Sequence, residues 1–305
     1  MRVTQTLLSQ QALNALQSNL IAIGKSHARL ATGRQLQEPS DDPAGHAAAT
    51  RLTARLTAIK QFRTQAEWAQ ELLNATDTVA DGLVSLMSRA QELAVSGANG
   101  TLSAAERAAM AGEVDQLLEE AVELANTSHG GRYLLGGFEV ATPPLSVTRD
   151  AAGQITAATW NPRGVDGAVD VDIDEGSTVQ ANLGGTQVLG DDTDPTFLPA
   201  LLVRLRDALA ADDQAGVNAL LADLGTAESR LTASRSTIGA RLRRIDRALD
   251  DLDTARLAAE DARSSILDAD LGRVAVELSQ QEALYQAALR ATAGAIQPSL
   301  LEFLR

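Results

Sequence analysis

Apolar positions along this chain follow a helical rhythm at both ends and lose it in the middle. Near the start, Leu13, Leu16, Leu20, Ile23, His27 and Leu30 fall at steps of 3, 4, 3, 4 and 3. That is the spacing of a coiled-coil seam, and a helix so polar on its other faces needs a partner. Leu7 and Leu8 fall outside the register, so the first turns are expected to fray or pack elsewhere. His27, on the seam, reads as a packed core histidine, because no second metal-binding residue flanks it.

From Pro43 the pattern continues through Leu52, Leu56, Ile59, Phe62, Ala66, Ala69, Leu73, Ala80, Leu83, Met87, Ala90 and Ala94, with no proline before the turn at Ser96–Gly100. A helix over 43–96 would be roughly 80 Å long at 1.5 Å per residue. That suits a rod better than a globule, with Gly82 as its weak point. Ser103 and Glu106 form a capping box ahead of Val114, Leu117, Leu118, Ala121, Leu124 and Ala125. Gly130-Gly131 is expected to stop that helix. Segments 43–96 and 103–129, joined by a short loop, predict an antiparallel hairpin.

Residues 132–195 abandon the 3.6 period. Asp150-Ala151-Ala152-Gly153 reads as a hairpin turn between two strands. Val169, Val171 and Ile173 alternate with Asp170, Asp172 and Asp174, the pattern of a half-exposed strand. After Pro195 helix resumes with Phe197, Leu198, Leu201, Leu202, Leu205 and Leu209. A longer one carries Leu224, Ala227, Leu231, Ser234, Ile238, Leu242, Ile245, Leu249 and Leu252, whose spacing includes an eleven-residue step. A second terminal seam follows: Leu267, Leu271, Val274, Leu278, Gln281, Tyr285, Ala288, Thr292 and Ala295, with Pro298 expected to end it.

The first seam meets the long helix at a joint centred on Arg29–Gly45. Pro39 disfavours helix before it, so the first helix should end near Arg34. Ser40-Asp41-Asp42-Pro43 then restarts one: Asp42 accepts from free N–H groups, and Pro43 suits the first helical position. With Arg29 and Gly33, these residues are the candidate helix joint.

The expected fold is mainly α: an elongated bundle of long helices, with paired terminal coiled-coil helices and a small β-rich insertion. Its domains would be 1–40 plus 265–305 for assembly, 41–131 plus 196–264 as the long-helix bundle, and 132–195 as the acidic insertion. The candidate assembly residues are Leu13, Leu16, Leu20, Ile23 and Leu30 with Leu267, Leu271, Val274, Leu278 and Tyr285.

Composition sharpens this picture. Apolar residues make up 45% of the 305, but aromatic ones only 3%, which fits slender bundles of closely approaching helices. The net charge of −14 argues against a nucleic-acid partner. Residues 1–37 carry Arg2, Lys25, Arg29 and Arg34 and no acid, whereas 132–195 holds ten acids against three arginines. The bland reading of that acidity is a solvated surface. No apolar run is long enough to span a membrane, the N-terminus lacks the pattern of a secretory signal, and no cysteine supports a disulfide or thiolate site.

Catalytic chemistry finds no footing. Asp170–Asp174 starts like a calcium loop, but Glu175 stands where glycine is needed and Ala181 where a bidentate glutamate belongs. Asp191-Asp192-Thr193-Asp194 reads as a solvated loop at a helix start. His27, His46 and His129 are scattered, and no phosphate loop, dinucleotide fingerprint, nucleophile elbow or zinc motif occurs. No enzyme activity, cofactor or metal is expected.

Arg29-Leu30-Ala31-Thr32-Gly33-Arg34, followed by Ser40-Asp41-Asp42-Pro43-Ala44-Gly45, resembles the N-terminal signature of the bacterial flagellin family, R-L-x-[S/T]-G-[K/R] then S-D-D-P-A-G. The stretch Ser265–Leu304 is similar to that family's terminal helix, with Asp268-Ala269-Asp270 at its start and Leu300-Leu301 near its end. The resemblance implies a non-enzymatic flagellar subunit, extracellular, exported unfolded without a cleaved signal. It implies self-association in a ring or tube. Its neighbours would be a hook-associated protein and flagellin, with an export chaperone on the C-terminal helix. Met1-Arg2-Val3, Pro39 before Ser40, and Gly131–Gly137 resemble members that join hook to filament. Leu135 in place of an aromatic, and the ending Leu301–Arg305, depart from them. Two alternatives stay open: a short flagellin forming the filament itself, and a secreted helical adaptor.

Overall fold

The computed structural model describes the backbone of residues 2–302 and the side chains of residue 7 and residues 10–293. The architecture is mainly α, with small antiparallel sheets in its middle region. The helices are α1 (Arg2–Thr32), α2 (Pro43–Gly97), α3 (Ala104–Ala125), α4 (Gly185–Leu189), α5 (Leu198–Ala210), α6 (Gln214–Leu267) and α7 (Leu271–Glu302). Between α3 and α4 run β1 (Ser128–His129), β2 (Arg132–Tyr133), β3 (Leu145–Arg149), β4 (Ile155–Trp160), β5 (Asp170–Asp174) and β6 (Ser177–Gln180). They pair in chain order as three antiparallel hairpins. The chain divides into two compact units, Ile59–Thr254 and the segments outside it.

The unit Ile59–Thr254 has one continuous core. Leu73, Leu83 and Met87 of α2, Val114 and Leu118 of α3, Phe197 and Leu205 between α4 and α6, and Leu224, Leu231 and Ile238 of α6 are all fully enclosed. The expected stripes of the two long helices therefore face inward almost residue for residue. The α3 capping box forms as read: Ser103 Oγ accepts from Glu106 N, and Glu106 reaches back to Ser103 N at 2.7 Å. α2 runs unbroken through Gly82. A side chain there would meet Leu124 at 3.1 Å, so the glycine lets α3 approach closely. Arg107 closes the α2–α3 turn from within: its Nε donates to Gly97 O (3.0 Å), its Nη2 to Asn99 O (3.1 Å), and its Nη1 pairs with Asp212.

Gly130-Gly131 is not the stop of α3, which ends at Asn126. The two glycines, at φ +57° and +77°, form the two-residue turn between β1 and β2, since primed hairpin turns need positive φ at both central residues. The hairpin read at Asp150–Gly153 is present, with Asp150 Oδ1 accepting from Ala152 N and Gln154 N at 2.9 Å each. In β5, Val171 and Ile173 point inward and the three aspartates outward.

The strands share the helices' core. Trp160 packs on Phe197, with ring centroids 5.6 Å apart, and donates to Gly190 O at 2.9 Å. Asn126 brackets Leu145, giving Nδ2–H to its carbonyl and accepting its N–H. Buried Arg206 donates to Ile155 O (2.7 Å) and to Asp115 (2.9 Å). Asp191 and Asp194 cap local turns by accepting from Thr193 and Thr196, Asp192 accepts from Trp160 N at 3.1 Å, and Asp194 also pairs with Arg230 at 3.4 Å, so this acidic loop is tied to its own backbone, β4 and α6. Sequence periodicity missed the five-residue α4.

Candidate assembly surface

The joint is built from two chain crossings. Gly33, at φ +68°, turns the chain out of α1. Thr32 Oγ1 then accepts from Arg34 N (3.3 Å) and Gln37 Nε2 (3.2 Å). Asp42 caps α2 by accepting from Ala44 N at 3.0 Å. A side chain on Gly45 would meet that Asp42 carboxylate at 2.5 Å and Leu36 at 3.0 Å, which is why the cap is followed by Pro43-Ala44-Gly45. Asp41 accepts from Lys25 Nζ at 3.0 Å. This ammonium, followed by the Glu38 N–H, holds the Asp41 carboxyl below its ordinary 3.8. Ser40 makes only a local bond to Glu38, and Arg29 lines the shallow pocket beside Lys25 and Asp41.

The second crossing is stitched to the first. Gln35 N donates to Leu267 O (2.7 Å) and Ala269 N donates to Gly33 O (2.9 Å), so the backbones of Arg34 and Asp268 pair as an isolated antiparallel β-bridge. Leu267 is therefore the last residue of α6 and a backbone acceptor at the joint, not part of the α7 seam. Asp270 starts α7 by accepting from Arg273 N at 3.1 Å. The α7 backbone stays helical through Pro298 to Glu302; a proline forfeits one hydrogen bond without always ending a helix. Ala295, Leu300 and Leu301 have no described side chains, and Met1 and 303–305 lie outside the described residues.

Helices α1 and α7 pair along their length. On α7 the inward positions are Val274, Leu278, Gln281, Tyr285, Ala288 and Thr292, the register read from the sequence. On α1 they are Ala12, Leu16, Asn19, Ile23, Ser26 and Leu30. Every other step is displaced by one residue from the expected seam, because Ser26, buried, donates to Gln281 Oε1 at 2.9 Å and fixes the rotation. His27 is thereby turned outward, exposed, with Nε2 3.8 Å from Glu282; it is not a packed core histidine.

This rotation decides what is left uncovered. Leu13 (52% exposed), Leu20 (49%) and Ile21 (64%) face out from α1, and Leu271 (50%), Val276 (58%) and Leu284 (63%) face out from α7. Leu16, Ile23, Leu30, Val274, Leu278 and Tyr285 are brought together inside the pair; Leu13, Leu20 and Leu271 are not. Among the described residues, no helix is long and apolar enough to cross a membrane.

Residues 3–139 match the bacterial flagellin N-terminal helical region, and residues 214–304 match the bacterial flagellin C-terminal helical region. Among curated relatives, the flagellar hook-associated protein 3 of Escherichia coli strain K12 is 29% identical over 147 residues, 48% of this chain and 46% of that one. This chain thus aligns with less than half of that relative's length. The flagellin of Listeria monocytogenes is 23% identical over 289 residues, 95% of this chain and 93% of its own. Among solved structures, Xanthomonas campestris FlgL superposes with a TM-score of 0.60 at 19% identity, covering 70% of this chain and 99% of that one. The flagellar junction protein FlgL of Legionella pneumophila gives 0.56 at 16% identity, covering 74% and 100%. At such identities the likeness concerns the fold.

Proposed function

Because the chain belongs to the bacterial flagellin family, whose members are structural and not enzymes, we propose that this flagellar protein joins hook to filament. In this reading it sits between a hook-associated protein and flagellin, and reaches that place by export without a cleaved signal. An export chaperone would cover the C-terminal helix until then. The observation that carries assembly is the outward apolar face of α1 and α7, left bare after the two helices have paired. Neighbouring subunits would cover it, with burial stabilising the contact by about 25 cal/mol per Å².

The seam inside the pair is itself thin. Asn19, Ser26, Gln281 and Thr292 interrupt it, so the ends gain much of their order from neighbours, as segments that fold on binding do. The junction role is supported by Pro39 before Ser40, by Gly131–Gly137, and by relatives named hook-associated protein 3. The second reading, a short flagellin, is favoured by the near full-length alignment to Listeria flagellin.

A deletion strain separates the two. Hooks that remain while unattached flagellin accumulates in the medium support the junction role. Intact, attached filaments of another flagellin contradict it, and loss of the filament protein itself would select the flagellin reading. Removing residues 1–37 should abolish attachment while 59–254 stays folded.

A further inference from the structure

Most arginines of the unit Ile59–Thr254 stand on carboxylates: Arg89 on Glu113, Arg206 on Asp115, Arg235 on Asp77 and Asp81. One turn-and-a-half of α6 breaks that habit. Among the described residues, no carboxylate lies within 4.0 Å of Arg241, Arg243, Arg244 or Arg247. Arg241 donates to Asn182 O (2.7 Å) and Gln180 Oε1 (2.6 Å), Arg244 to Ser177 Oγ (3.0 Å), and Arg247 to Arg243 O (3.1 Å). Those are neutral acceptors. Asp246, inside the run, is taken by Gln70 at 2.6 Å, and Asp170 acts on Arg241 only at longer range. Asp250 and Asp251 bound the run one turn on.

At about 100° per residue Arg243 and Arg247 lie opposite buried Ile238 and Ile245, with Arg244 to one side and exposed, while half-buried Arg241 turns toward Gln180 and Asn182. In a chain with 40 acids and 26 basic residues, three exposed arginines, Arg243, Arg244 and Arg247, left together without a carboxylate partner among the described residues mark a surface that an acidic partner would neutralise. The same unit presents a match. On α3, Glu120 and Glu123 lie exposed with Gln116, and no described base pairs with either. One and two turns toward the N-terminus of α3, Gly112 and Ala109 are exposed, and nothing stands within 4 Å of a Cβ added at Gly112. Along α6 the turns preceding the arginines are likewise low, with Ala233, Ser236 and Ala240 exposed. Laid parallel, the two helices put Gly112 beside Ser236 and Glu120 and Glu123 beside Arg244 and Arg247.

We propose that α3 of one copy docks along α6 of the next, its Glu120 and Glu123 neutralising Arg243, Arg244 and Arg247. Two different faces of the same fold meet, so the contact is heterologous and propagates around a ring or tube. It rests on the reading of this chain as a self-assembling flagellar subunit.

The chain has no cysteine, which makes a clean test available. Full-length Gly112→Cys and Ser236→Cys versions are co-expressed in cells lacking the native copy, and disulfide-linked dimers are scored in isolated flagella. The 112–236 dimer should form, while Thr64→Cys paired with Ser236→Cys should give none. Adding Arg243→Glu/Arg247→Glu should cut the dimer at least about tenfold through like-charge repulsion. Adding Glu120→Arg/Glu123→Arg to the other copy should restore it. If the chain reaches the flagellar fraction without a 112–236 dimer, or the reversal changes nothing, this interface is overturned and the subunit reading stands. If a thiol-to-amine cross-linker placed on Ser236→Cys captures another flagellar protein in place of a second copy, the second-copy occupant is overturned. If the unaltered chain is absent from flagella, both readings fall.

Discussion

Leu83 and Leu16 sit on similar helices at similar stripe positions, yet Leu83 is fully enclosed and Leu16 only half-buried. The difference lies in what stands opposite. Around Leu83, α2, α3, α5, α6 and the strands close a core from several sides. Around Leu16, among the described residues, α7 is the helix packed against it. Within the terminal pair Ser26 and Val274 are fully buried, and each helix keeps a row of large apolar residues in solvent. Two helices alone cannot cover both faces of each other. The unit Ile59–Thr254 is thus complete by itself, whereas the paired ends carry surface for something else.

The sharpest way to break that contrast is paired truncation of side chains. Leu83→Ala should cost about 3 kcal/mol, with a matching loss in thermal midpoint, whereas Leu16→Ala should cost under about 1 kcal/mol in the free chain. Equal losses in calorimetry would erase the distinction. Next, Arg206→Met leaves half-buried Asp115 without its cation and Ile155 O without its donor and should cost about 2 kcal/mol, read as a lower urea midpoint. The substitution should leave proteolysis of α1 unchanged.

A smaller effect sharpens the other side. Replacing the Ser26–Gln281 hydrogen bond by Ser26→Leu/Gln281→Leu should stabilise the terminal pair by about 1 kcal/mol, since an apolar seam then replaces a polar one. Slower amide exchange in α1 of the free chain would register it. The smallest effect is electrostatic. The Asp41 pKa is depressed by Lys25, so their contact is at full strength above the ordinary carboxylate range and is lost as pH falls through the depressed value. Carbon NMR of Asp41 should show a titration midpoint below 3.8 that returns toward it in Lys25→Ala.

The long helices were legible because one apolar stripe, from Ile59 to Ala94 and from Leu224 to Leu252, is buried along nearly its whole length. The α7 register was legible because Val274, Leu278, Gln281, Tyr285, Ala288 and Thr292, though mostly only half-buried, are the positions that face α1. The α1 register was not, because leucines stand on both sides of the true seam and small or polar residues, Ala12, Asn19 and Ser26, occupy it. Hydrophobic spacing then selects the outward leucines. Gly130-Gly131 shows the same limit: two glycines stop a helix or turn a hairpin equally well, and only pairing of His129 with Arg132 decides. Of the joint, Asp42 and Pro43 were readable as a cap, but the bonds from Gln35 and Ala269 to the opposite crossing join residues over two hundred positions apart. No local pattern announces them.

The central claim is that the ends are finished only by neighbours. Hydrogen exchange, followed peptide by peptide on the full chain free in solution and again in isolated flagella, tests it most directly. Amides of α1 and α7 should exchange quickly in the free chain and become strongly protected in flagella, while α2 and α6 within 59–254 stay protected in both. Protection of α1 and α7 in the free chain equal to that of the Leu73–Leu83 stretch would contradict it.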